Sequence, residues 1–202
     1  MSFQEVHYRP VFGRVLAVVT VVLCAVGAVA MIAADPASAL RYVWPILLMG
    51  VLAWAVFWRP GLLVQEHGIT VENVLSTRFV SWPSITAIDT RYSLTLQTTQ
   101  GRIAVWAAPA PGRHRTLGLA AKDFDGVGES ARGQSGELRP TDAITTPGGN
   151  LAQLIRGRWE QLRDAGAFAS GVDPDAASTT WHWATITAVV VLTGASVIGL
   201  LV

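Results

Sequence analysis

The sequence predicts an α+β membrane protein in which three transmembrane helices carry one small antiparallel β domain and a C-terminal amphipathic helix. Three observations lead there. Apolar runs cover 15–34 and 42–58, and a third covers 181–202. Between them, 61–106 is the one long stretch that alternates apolar and polar residues between short turns. Of the 202 residues, 51% are hydrophobic and 14% charged, against about 25% charged in an ordinary soluble domain. The missing charge is concentrated in the three apolar runs.

Residues 1–14 read as a short polar arm with Arg9 and Arg14, and Pro10 breaks any helix before it. From Val15 to Ala34 twenty residues pass without a charge, and about twenty residues at 1.5 Å each cross a ~30 Å hydrocarbon core. A cleaved signal peptide, with Ala28-Val29-Ala30 as its cleavage site, is the competing reading. The run is too long for a signal core, and a second span follows at once. Asp35 to Arg41 reads as a seven-residue turn. Tyr42 to Trp58 then forms the second span and completes a helical hairpin over 15–58, with Pro45 in its first turn and Arg59-Pro60 stopping it. Seventeen residues is short for a span, so a neighbouring helix or local thinning would have to help. Tyr42 and Trp44 at one end, and Trp54 and Trp58 at the other, form an aromatic belt at both interfaces. Neither helix has the polar face that a soluble helical hairpin needs.

The β domain occupies 59–107. Leu62 to Gln65 and Ile69 to Val71 pair across a turn at Glu66-His67-Gly68, where Gly68 supplies a positive φ. Arg78–Trp82, Ile85–Thr90, Ser93–Thr98 and Arg102–Trp106 continue an antiparallel meander. Alternation implies one buried and one wet face. The expected core is Leu63, Ile69, Val71, Ile85, Ile88, Leu94, Leu96, Ile103 and Val105.

Residues 108–149 are an insertion in which twelve positions are Gly or Pro, a composition of flexible segments. Thr116–Ala121 could add an edge strand, and Arg132–Pro140 reads as an exposed loop. Residues 150–166 read as an amphipathic helix with Asn150 as N-cap and Gly166 as terminator. Leu151, Leu154, Ile155, Trp159 and Leu162 share its apolar face, with Arg156, Arg158 and Arg163 off it. That helix either packs on the β domain or lies on the membrane surface with its arginines near anionic headgroups. Residues 167–180 form a linker. The third span, 181–202, opens on Trp181 and Trp183 as interface residues. Its Ala195 and Gly199 would let another helix approach closely.

Arg9, Arg14 and Arg59 flank the hairpin on one side, while the loop carries Arg41 against Asp35. The positive-inside rule then puts the N-terminus and the β domain in the cytoplasm and the C-terminus outside a multi-pass plasma-membrane protein.

Several function classes have no footing. A net charge of +1 gives no basic field for nucleic acid. Cys24 is the only cysteine, so neither an intramolecular disulfide nor a cysteine zinc site can form. His7, His67, His114 and His182 make no metal-binding spacing, and no nucleophile elbow or phosphate loop is present. Neither an enzyme, nor a cofactor, nor a metal site is expected.

Arg59-Pro60-Gly61-Leu62-Leu63-Val64, then Gly68-Ile69-Thr70-Val71-Glu72-Asn73, then Val80-Ser81-Trp82-Pro83-Ser84-Ile85-Thr86-Ala87-Ile88, resembles the PH-domain-containing membrane proteins common in actinobacteria. The resemblance covers about residues 9–106. It implies a PH-like fold, a bent antiparallel β-sandwich closed by a C-terminal helix for which 150–165 is the candidate. It also implies a binding or scaffolding module with no general activity; the partners expected here are the lipid bilayer and a membrane protein. Arg156, Arg158, Trp159 and Arg163 are the candidate interaction surface. The alternative is a lipid sensor that uses Arg156, Arg158 and Arg163. The first hairpin tip, Glu66-His67-Gly68, lacks the basic cluster with which eukaryotic PH domains grip phosphoinositides.

Overall fold

The computed structural model describes residues 5–90, 93–109, 147–166, 168 and 177–201. Most of the Gly/Pro-rich insertion, with the edge strand expected at 116–121 and the loop at 132–140, lies outside them. The chain divides into a β unit (Met1–Arg9, Gly61–Asn73, Arg78–Thr179) and a helical unit (Pro10–Pro60, Val74–Thr77, Thr180–Val202).

The β unit starts earlier than the sequence suggests. Strand β1 (Val6–Tyr8) lies in the supposed polar arm and pairs antiparallel with β2 (Gly61–Val64), matching Val6 with Val64 and Tyr8 with Leu62. The two apolar helices are therefore an insertion between the first and second strands of one sheet. That sheet continues through β3 (Gly68–Glu72) and β4 (Ser76–Ser81) to β8 (Ala177–Trp181), in the order β1-β2-β3-β4-β8. Strand β8 falls in the supposed linker. A second sheet is the meander β5 (Ile85–Asp89), β6 (Ser93–Thr98) and β7 (Gly101–Pro109). Its turn uses Gly101 at φ 129°, a backbone that favours glycine.

The core confirms most of the alternation and corrects one register. Ile69, Val71, Ile85, Leu94, Leu96, Ile103 and Val105 are buried. Leu63 is not in the core; Leu62 and Val64 are. Leu62 stands opposite Val71, and Val64 opposite Ile69. Directly opposed residues of an antiparallel pair share a face, so the inward Ile69 and Val71 force Leu62 and Val64 inward too. Ile88 is half-buried at the core's margin.

Gly68 is also corrected. It is not among the positive-φ glycines. A Cβ there would strike the Val80 carbonyl oxygen and come within 2.8 Å of the Phe79 ring. The position needs glycine for close approach between strands. Gly68→Ala is expected to cost about 1–3 kcal/mol. Gly68→Asn, which tolerates positive φ, should be no better than alanine in a thermal melt.

Two devices tie the β unit together. Trp82 is 2% exposed, and its indole Nε1–H donates to the carbonyls of Gln65 and Glu66, each at 3.1 Å. It thereby pins the β2–β3 hairpin to the short 3₁₀ turn Trp82–Ser84 that leads into the second sheet. Asn73 mimics a strand partner: its Nδ2 donates to Ala104 O at 2.9 Å, and its Oδ1 accepts from Trp106 N at 3.1 Å. At the mouth of β1, Arg9 pairs with Glu72 at 2.7 Å. Gly61 lies beneath that pair, 3.0 Å from each partner as measured from a would-be Cβ. Burial pushes the Tyr8 phenol above its ordinary 10.0. A raised phenol contributes stability that is intact below the ordinary value and is lost as pH rises through the folded one. The melting temperature should therefore fall more steeply above pH 10.0 in the wild type than in Tyr8→Phe.

In the helical unit, α1 (Val11–Ala34) and α2 (Pro36–Ala53) meet at a single residue. The seven-residue turn expected at 35–41 shrinks to Asp35, whose carboxylate caps α2 by accepting from Ala37 N at 3.0 Å and Ser38 Oγ at 2.6 Å. Pro36 follows at the first helical position, where its missing N–H costs nothing. These hydrogen bonds hold the Asp35 carboxyl below its ordinary value. The same shift of boundary puts Pro45 inside α2. Helix α2 runs on as a π-helical turn, Trp54–Trp58, and the whole stretch Pro36–Trp58 is 23 residues. The expected shortfall of the second span thus disappears.

The last helix is α4 (Trp183–Leu201), following α3 of the β unit (Pro147–Asp164). Pro45 cannot donate to the Arg41 carbonyl one turn back, and Gly199 of α4 packs on that oxygen. Any Cβ at 199 would collide with it, so this glycine provides the close helix approach expected of the Ala195/Gly199 pair. His182 joins residues 74–77 to the start of α4: its backbone N donates to Leu75 O at 2.9 Å, and its Nε2 lies 2.9 Å from Thr77 Oγ1. Helices α1, α2 with its π turn, and α4 are each long and apolar enough to cross a membrane.

Candidate interaction site

Helix α3 begins at Pro147 rather than at Asn150, and Gly166 at φ 72° ends it, its N–H bonding to Arg163 O at 3.0 Å. Its apolar stripe closes the sandwich. Leu151, Ala152 and Ile155 join the buried core, with Trp159 and Leu162 packed against it. Leu154, expected on this face, stands 37% exposed.

The four candidate residues separate. Arg156 is 5% exposed. Its guanidinium donates to Ile88 O at 3.3 Å and Thr90 Oγ1 at 3.2 Å. The sequence places Arg156 off the packed face, and the structure turns it inward over the end of β5. An arginine can do this because its apolar stem packs while its planar head finds oxygen acceptors. Trp159 is held too: its indole N–H donates to Ile85 O at 3.0 Å, and its ring meets Phe168 at 6.1 Å between centroids. Arg163 stays at the surface, stacked 5.2 Å over the Trp159 ring and 3.2 Å from Asp164. Arg158 is half-buried. The helix therefore does not present its three arginines as one open basic face.

The outer face of the second sheet carries a feature the sequence reading passed over. Ile103 and Val105 of β7 point inward, so Arg102, Ala104 and Trp106 point out. Trp106 is 58% exposed, on a face shared with the half-buried Thr95 and Gln97 of β6. The period-2 rule that placed Val105 in the core could have shown this, since its neighbour must then face water. The hairpin-tip residues Glu66 and His67 are exposed and carry no basic cluster.

The expected interface aromatics are also placed. Tyr42 and Trp44 lie in the first half of α2, and Trp54 and Trp58 in the π turn. Trp181 ends β8, and Trp183 opens α4 and is 69% exposed. Among the described residues no group of three or more His, Cys, Asp or Glu side chains is placed to hold a metal ion.

Residues 59–146 match a protein-family model described as a bacterial PH domain. No curated protein and no solved structure matches the chain. The matched stretch opens just before β2 and takes in β2 to β7. Strand β1 and helix α3 complete the sandwich from outside it. PH domains are in general non-enzymatic modules that engage proteins or lipids.

Proposed function

We propose that this chain is a multi-pass membrane protein whose PH-like unit serves as a protein-interaction or scaffolding module in a membrane assembly. The helices set it at the bilayer, with the N-terminus and the β unit on the cytoplasmic side. The observation that carries this reading is the outward-facing Trp106, 58% exposed on a sheet face of small and polar side chains. A lone exposed tryptophan supplies large contact area at low entropic cost, and tryptophan is enriched among residues that dominate protein interfaces. The rival, lipid sensing through Arg156, Arg158 and Arg163, is weakened by the burial of Arg156 and by the acidic-to-neutral hairpin tip.

A photoreactive side chain at position 106 of the full-length protein in native membranes tests this. One discrete protein adduct is expected, competed away by excess unmodified protein and absent with the probe at Glu66. Lipid adducts alone at position 106 would contradict the reading. Trp106→Ala should leave the melting temperature nearly unchanged, because the lost side chain is mostly in water.

A further inference from the structure

We infer that the helical unit carries a binding site for the phosphate headgroup of an anionic lipid, built from Arg14 and Arg59 stacked on Trp58 and Trp54. The inference rests on reading the three helices as membrane spans. It places the lipid at the helices rather than on α3.

Three chain segments meet at one end of this unit. The start of α1 abuts the π turn so closely that a Cβ on Gly13 would lie 2.9 Å from Phe57 O. Arg14, the next residue, lies 5.3 Å over the Trp58 ring. Arg59 follows Trp58 in sequence, lies 5.2 Å over Trp54, and donates from Nη1 to Thr185 in the first turn of α4. Each guanidinium carbon thus lies over an indole ring, and a guanidinium carries its hydrogen-bonding edge in its own plane. That edge is the part that matches the two oxygens of a phosphate. The rings hold both arginines at this end, and Thr185 also ties down Nη1 of Arg59.

Charge points the same way. The only side-chain carboxylate in the helical unit's segments is Asp35, at the opposite end, where it caps α2. Among the described residues no carboxylate pairs with Arg14 or Arg59. Helices α1 and α4 both begin here, and each helix start adds partial positive charge. The π turn itself is an uncommon geometry concentrated at functional sites, and here it carries both stacking tryptophans. Two cations with no carboxylate partner among the described residues, on aromatic rings at the mouth of a membrane hairpin, fit the phosphodiester of a lipid.

The test uses the full-length protein in phosphatidylcholine vesicles containing either brominated phosphatidylglycerol or brominated phosphatidylcholine, read by tryptophan quenching. Stronger quenching by the anionic lipid at equal mole fraction is expected, with about tenfold weaker preference in Arg14→Gln/Arg59→Gln, the loss of charge-assisted hydrogen bonds. Arg14→Lys/Arg59→Lys keeps the charge without the fork and guards against a variant that fails to fold. It should lose most of the preference, and full retention would reduce the effect to bulk surface charge and overturn the site. An equal loss in Arg158→Gln/Arg163→Gln would move binding to α3 and overturn it as well. So would abolition of the preference by inorganic phosphate at constant ionic strength, which would make the ligand a free anion. Equal quenching by both lipids refutes the site while leaving the spans intact. No quenching by either removes the membrane reading and the site with it.

Discussion

Trp82→Ala is expected to cost the β unit about 3–5 kcal/mol, the range for removing a buried aromatic from a core. Two losses combine. The indole is 2% exposed, so its removal leaves a cavity between the sheets. Its N–H also holds the Gln65 and Glu66 carbonyls, and those acceptors lose their partner at the neck of the β2–β3 hairpin. Trp82→Phe separates the two effects, because it restores most of the volume but not the donor. It should recover more than half of the loss. A thermal melt of the full-length protein in detergent, followed by near-ultraviolet circular dichroism, reads both. A change of less than about 1 kcal/mol on Trp82→Ala would mean that the tryptophan is not the joint between the two sheets.

Ile155→Ala is the second large effect, about 2–5 kcal/mol. Ile155 is fully buried and stands at the centre of the face that α3 lays on the sandwich, between Leu151 and Trp159. Trp159→Ala should also lower the melting temperature, since it removes a packed ring and its hydrogen bond to Ile85 O. If α3 lay on the membrane surface instead, both substitutions would leave the β unit's melt unchanged and would reduce membrane association. The two pictures therefore predict opposite patterns from the same variants.

The sandwich was readable where local pattern decides structure. Leu94 and Leu96 flank Thr95, Ile69 and Val71 flank Thr70, Ile103 and Val105 flank Ala104, and all six period-2 positions are buried. Leu62-Leu63-Val64 has no alternation, so which leucine faces the core depends on the partner strand, and it is Leu62 rather than Leu63. Strand β1 was invisible for a related reason. Three residues carry no period, and their partner lies beyond the whole helical hairpin. Pairing of that kind is a tertiary event that local propensity does not encode. By composition Asp35-Pro36 is turn punctuation. It is an N-cap followed by the first helical residue, and the same two residue types serve both roles.

The candidate site was less legible than the fold. Helical spacing placed Ile155 and Trp159 correctly but put Arg156 off the packed face. The stripe is wide enough to take in position 156, and acceptors such as Ile88 O and Thr90 Oγ1 make burial of a guanidinium tolerable. Those acceptors come from β5 and the residue that follows it, so no reading of the helix alone could have found them. Alternation alone places Trp106 outward, because Val105 beside it is buried. The stacking of Arg14 and Arg59 on tryptophans was partly visible as arginines and aromatics at one end of two spans. The π turn that carries both rings was not.

The central claim is that one PH-like unit is built from both sides of the inserted helical hairpin, with β1 as its first strand. The pairing of His7 with Leu63 tests it most directly. Directly opposed residues of an antiparallel pair have Cα atoms about 4.5–5.5 Å apart, within the span a disulfide bridges. His7→Cys/Leu63→Cys in a Cys24→Ser background should form an intramolecular disulfide in membranes under mild oxidation, seen as a gel-mobility change reversed by reductant. His7→Cys/Gln97→Cys, whose second site is in the other sheet, should not. Failure of the first pair to cross-link, with both cysteines open to a thiol reagent, would show that residues 6–8 do not join the sheet and would contradict the account.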